Sequence, residues 1–279
     1  AATPGVYADT SGYTKDVWSP DGTLSVDIIE AMVGWPIQFG FSNTGGAYHP
    51  AAMIYDTMVV AVADTPAPTP APTPAPTPAP ATADDLFISE TSEVGSTWTK
   101  YLEVANFTGA DVSLDGYFLG RVSNAPSVVG EYEVAIEFTS GATLANGDVW
   151  VLGRAEGTDG PDALRTNIDQ INTNISHNGD DSYFLYKKAA AEDAPSQTAT
   201  VVDVFGDQQG DPGSDWTACG DTAASSESVM IKKATKAGTD SWTTSAGTDA
   251  TDCWWEITKI SDQDAHDYAT VGSHTFTGE

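Results

Sequence analysis

From Asp85 onward the chain alternates apolar and polar positions in short runs separated by turn residues. The runs are Asp85–Glu90, Lys100–Asn106, Val112–Leu119, Glu131–Phe138, Asp148–Gly153, Ser182–Lys187, Thr198–Phe205, Ser228–Lys233 and Trp254–Ile260. A period of two places every second side chain on one face of a strand. In the second run Leu102 and Val104 share one face, and Tyr101 and Glu103 the other. Thr108-Gly109, Asn146-Gly147, Asn178-Gly179 and Asp211-Pro212-Gly213 supply turn chemistry between runs. Short strands at this spacing predict an all-β sandwich over residues 84–260. The polar stretch Ala155–Ile175 predicts one short helix around Asp162–Ile171. Asp203, set among Val and Phe, predicts a buried or edge carboxylate with a hydrogen-bond partner. The tail, residues 261–279, holds a candidate strand over Tyr268–Thr277, free to pair with another subunit.

The first 64 residues show three further strand-like runs, Thr23–Glu30, Pro36–Ser42 and Ala52–Ala63. Ile37, Phe39 and Phe41 alternate with Gln38, Gly40 and Ser42, and the third run ends almost continuously apolar. So short a segment without a cysteine makes a marginal core of its own. Residues 1–64 are therefore expected to be a small β-rich assembly segment that completes its sheet on a neighbouring copy. Trp35, Ile37, Phe39, Phe41, Met58, Val60 and Val62 are the expected inter-subunit contacts.

Between the two parts lies a Pro/Thr/Ala-rich linker, residues 65–83, with proline at every second position from Pro66 to Pro80. Proline fixes φ and lacks an amide hydrogen, so the run reads as a stiff polyproline II rod about 45 Å long. Its four-residue repeat meets a helix of three residues per turn, which points Thr65, Thr69, Thr73 and Thr77 in three directions, with only Thr65 and Thr77 on one face. Such a rod suits O-glycosylation all round.

Six pieces in order carry a family resemblance. They are Leu86-Phe87-Ile88-Ser89-Glu90, Lys100 to Gly109, Val112 to Leu119, Leu144 to Leu152, Asn178-Gly179-Asp180-Asp181 with Leu185-Tyr186, and Val201 to Gly206. Their succession resembles a bacterial secreted lamin tail domain over roughly residues 84–256. The resemblance implies an immunoglobulin-like sandwich used for binding or assembly, with no catalytic residues. No enzyme domain accompanies the module in this sequence.

Charge narrows the partners. The chain has 40 acidic and 11 basic residues, a formal net charge of −29, so a basic footprint for nucleic acid is missing. The same charge opposes an anionic membrane surface, and no run of apolar residues is long enough to span a bilayer. No cofactor is expected. Calcium is the one ion that the acidity suggests, with Asp180-Asp181 and Asp84-Asp85 as local candidates. Cys219 and Cys253 are expected to form one disulfide. The Ala1-Ala2-Thr3-Pro4 start reads as the end left by signal-peptide removal, and Asn106 and Asn174 open two N-glycosylation sequons.

The four histidines lack metal-binding spacing, and no nucleophile elbow, P-loop or dinucleotide fingerprint occurs. The sequence therefore suggests a secreted, non-enzymatic subunit that polymerises with copies of itself into an extracellular filament. The alternative is a stalked adhesion or carbohydrate-binding module, with Trp98 and Trp216 as exposed aromatic platforms for glycans.

Overall fold

The structure, a computed structural model, describes residues 81–278 apart from 125 and 127. The seven expected contact residues and the linker threonines Thr65, Thr69, Thr73 and Thr77 lie outside the described residues.

In chain order the strands are β1 (Phe87–Ser92), β2 (Tyr101–Asn106), β3 (Val112–Ser113), β4 (Tyr117–Val122), β5 (Val134–Glu137) and β6 (Thr143–Leu144). There follow β7 (Asp148–Gly153), helix α1 (Asp162–Arg165), β8 (Gln170–Ile171), β9 (Ser182–Lys187) and β10 (Thr200–Phe205). Last come β11 (Ser228–Lys232), helix α2 (Trp242–Ala246) and β12 (Trp255–Lys259). One sheet runs β12-β11-β1-β2-β7-β8, a second β10-β9-β4-β5, and β3 pairs with β6. The fold is the all-β sandwich that the alternation predicts.

One cluster of buried side chains draws on both faces of the four-stranded sheet and on the six-stranded sheet. Ile88, Leu102, Val104, Leu152, Met230 and Trp255 come from the six-stranded sheet, and Phe118, Leu119, Ile136, Phe184, Leu185, Tyr186 and Val204 from the other. Phe118 stacks on Tyr186 with ring centroids 4.8 Å apart. At one end of the core, Phe205, Trp216, Trp242 and Trp255 meet edge to face or tilted. Such aromatic pairs add about 0.5–1.5 kcal/mol each beyond the area they bury. Cys219 and Cys253 form the expected disulfide, which ties the turn before β11 to the turn before β12.

Several elements depart from the sequence reading, each for a local reason. The run Val112–Leu119 is two strands, because Leu114–Gly116 forms a 3-10 turn that buries Leu114 and moves the chain from the small sheet to the four-stranded one. The run from Glu131 starts its ladder only at Val134, since the Gln197 side chain takes the amide and carbonyl of Tyr132. The expected helix ends at Arg165, and Gln170–Ile171 instead pairs parallel to β7. Helix α2 carries its own cap, the Thr244 amide donating to Ser241 Oγ at 3.2 Å, yet has no apolar periodicity to announce it.

The tail is not a strand. Residues 268–277 cross the outer face of the six-stranded sheet as irregular chain and set Tyr268, Val271 and Phe276 against it. The expectation that this stretch pairs between subunits gives way to packing at home. The apolar face it covers belongs to its own domain.

Candidate functional site

The tail-covered face gathers one set of buried titratable groups, Glu90, Tyr101, Glu103, His266 and Tyr268. Period-two alternation splits β1 and β2 between two cores. Ile88, Leu102 and Val104 point into the sandwich, while Phe87, Tyr101, Ala105, Val149 and Val151 form a second apolar cluster outside it. A bulge between Ile88 and Glu90 shifts the register of β1, so that Glu90 lies directly opposite Glu103 of β2. Like charges opposite one another destabilise a sheet, and here both carboxylates are fully buried.

The tail supplies part of their hydrogen bonding. Glu103 Oε1 accepts from Ser89 Oγ at 2.6 Å, and Oε2 accepts from the Gly272 amide at 2.9 Å. Glu90 Oε1 accepts from Thr270 Oγ1 at 2.8 Å and from the Tyr101 hydroxyl, while Oε2 is buried without a partner. Burial, with the charge of Glu90 beside it, pushes Glu103 up to about 8. Burial also raises Glu90, against its bonds from Tyr101 and Thr270. Tyr101 is raised well above the usual phenol range by burial and the neighbouring carboxylates. Both shifts favour the neutral carboxyl, which relieves the repulsion between the two facing groups.

Two tail histidines complete the patch. His266 stacks on Tyr268 with centroids 3.8 Å apart, and His274 meets Phe87 edge-on at 5.6 Å. Burial lowers both, and the nearby Lys232 helps push His274 down to about 4. The arrangement holds a strap over a sheet and seals a carboxylate pair beneath it. Sequence reasoning missed Glu90, His266, His274 and Thr270. The available signal was a pair of carboxylates in mid-strand, together with a tail that alternates aromatic and histidine residues.

The other sequence candidates fall apart from this patch. Asp203 is the buried, hydrogen-bonded carboxylate that was expected. It accepts from Lys232 Nζ at 2.5 Å, the Ile88 amide at 2.7 Å and the Thr239 amide at 2.9 Å. Burial drives both members of the Asp203–Lys232 pair toward their neutral forms. Asp181 is buried and spends Oδ2 on Arg121 and the Asn178 amide, both at 2.8 Å. Asp85 is bonded to Tyr117 and Lys187. Among the described residues no group of three or more His, Cys, Asp or Glu side chains is arranged to hold a metal ion.

Trp216, expected on the surface, is buried in the core and donates Nε1–H to the Asp181 carbonyl at 2.9 Å. Its polar flanks concealed an inward turn. Trp98 is exposed, as expected. Asn106 is buried, and its Nδ2 donates to the Ala110 and Leu144 carbonyls at 2.9 and 2.8 Å, so the folded domain withholds it from glycosylation. The Asn174 side chain is half-buried in a turn.

With the sandwich and its strand order in view, residues 79–209 match the family described as Lamin Tail Domain. This segment is a lamin tail domain. The match ends before β11 and β12, yet β11 pairs with β1 and β12 with β11, so the sandwich itself continues to Lys259. No curated protein matches the chain. Among solved structures it is similar to the crystal structure of a DUF4876 family protein from Bacteroides thetaiotaomicron VPI-5482. That similarity has 11% identity and a TM-score of 0.37, over 69% of this chain and 71% of that one. So loose a likeness assigns no function.

Proposed function

We propose that this protein is a secreted, non-enzymatic structural subunit that assembles with copies of itself through its N-terminal segment. The observation that carries the reading is that the lamin tail domain covers its own apolar sheet face with its own tail. Among the described residues, the exposed large apolar side chains are only Trp98, Val128, Val129 and Ile171. The domain therefore has little greasy surface to share, whereas residues 1–64 carry apolar runs with few residues to cover them. A segment that seats on a different surface of the next copy makes a head-to-tail contact, which propagates into filaments unless it closes into a ring.

Secretion fits the disulfide, which persists in oxidising compartments. No helix among the described residues is long and apolar enough to cross a membrane. The test uses the full chain. Light scattering and negative-stain microscopy should show polymers, and Phe39→Asp with Val60→Asp should reduce them to monomers without changing the melting of the sandwich. A wild-type chain that remains monomeric at millimolar concentration would refute the proposal.

A further inference from the structure

We infer that the cleft at Trp98 is a binding site for a neutral saccharide, whether or not the subunits assemble. The cleft is shallow and open to solvent, with a volume of about 440 Å³. Trp98, Ser96, Gly160, Pro161, Gln263 and Asp264 line it. It brings together the 3-10 turn before β2, the loop before α1 and the start of the tail, which are far apart in sequence.

Its walls are held close by backbone that only glycine tolerates. Gly95 has φ +68°, and a Cβ there would come within 2.5 Å of Gln263 Oε1. Gly160 has φ +77°, and a Cβ there would sit 2.4 Å from the Trp98 carbonyl oxygen. Side chains at either position would push the cleft apart.

The chemistry at the surface is that of sugar recognition. Trp98 is 36% exposed, although indoles usually bury such area. The Arg154 guanidinium lies over the ring, 5.0 Å from its centroid, and Arg154 Nε is buried without a hydrogen-bond partner. Arg154 is not among the residues that line the cleft. Gln263 Oε1 accepts from the Ser96 amide at 3.1 Å, which ties this cleft-lining side chain to the opposite wall. The Asp264 amide is held by Asp262 Oδ1 at 3.0 Å, and its exposed carboxylate is an acceptor at the rim. An apolar platform beside one amide donor and one carboxylate acceptor suits the C–H face and adjacent hydroxyls of a pyranose. The Asp264 carboxylate and the net charge of −29 disfavour acidic glycans.

The experiment titrates the full chain with soluble neutral oligosaccharides (cellohexaose, xylohexaose, mannohexaose and hexa-N-acetylchitohexaose) and with oligogalacturonate, by calorimetry. At least one neutral hexamer should bind. Trp98→Ala should weaken it tenfold or more, and Gln263→Ala and Asp264→Ala several-fold each. Trp98→Phe should restore part of the loss, and far-ultraviolet dichroism and particle size should stay unchanged in all four variants. Absence of binding to every neutral hexamer at millimolar concentration overturns the inference. So does equal affinity in Trp98→Ala, or preference for oligogalacturonate.

Discussion

Replacing Glu103 by Gln should remove a specific alkaline loss of stability. Glu103 lies between Ser89 and the Gly272 amide on a sheet face sealed by the tail, with Glu90 opposite. Its folded value of about 8 stands above the unfolded 4.5. A carboxyl raised on folding binds more protons in the native state, so its contribution falls as pH rises from the unfolded value to the folded one. The loss reaches about 1.4 kcal/mol per pH unit and totals about 3–4 kcal/mol between pH 5 and 8. For a domain of this size that is roughly 7–14 °C in melting temperature.

The histidines work the other way. His177, pushed down to about 3 by burial with Lys100 and Arg121 nearby, and His274, at about 4, bind fewer protons when folded. Their contributions therefore grow as pH rises toward the unfolded histidine value. The readout is thus the difference between wild type and Glu103→Gln, measured by urea unfolding at half-unit steps from pH 5 to 8.5 at constant salt. The introduced carboxamide can accept from the Gly272 amide through its oxygen and donate to Ser89 Oγ through its nitrogen, so the bonding survives. The variant should gain on wild type steadily with pH and level off above 8. Parallel profiles would show that Glu103 ionises freely beneath the tail, and the account of the sealed face would fail.

Three further outcomes follow from the packing. Lys232→Met leaves the Asp203 carboxylate buried without its cation and should cost about 3–5 kcal/mol by chemical denaturation. Adding Asp203→Asn should recover part of that, because the carboxamide oxygen still accepts from the Ile88 or Thr239 amide. Reducing Cys219–Cys253, 34 residues apart in sequence, should lower stability by about 3–4 kcal/mol in the chain-entropy model, read as a fall in melting temperature with dithiothreitol. Melting temperature should also rise with sodium chloride between 0.05 and 1 M, because salt screens the repulsion of a surface with 40 acids against 11 bases. A flat response would mean that the exposed acids are too far apart to repel.

The β-sandwich was legible in the residues, because alternation and turn residues are local properties that each strand carries alone. Asp148–Gly153 and Ser182–Lys187 were legible to the residue. The disulfide was legible too, since only two cysteines exist. Tertiary structure alone decided the fate of each face. Tyr101 and Glu103 alternate like the solvent side of a strand, and chain from elsewhere covers them: Leu164 of α1 and the tail arriving from about 170 residues further on. That contact left no periodic trace, because the tail has no ladder and packs by side chains. The same holds for Trp98 and Trp216. Both sit in polar turns, and whether an indole faces water or core depends on which distant strand lies beneath it.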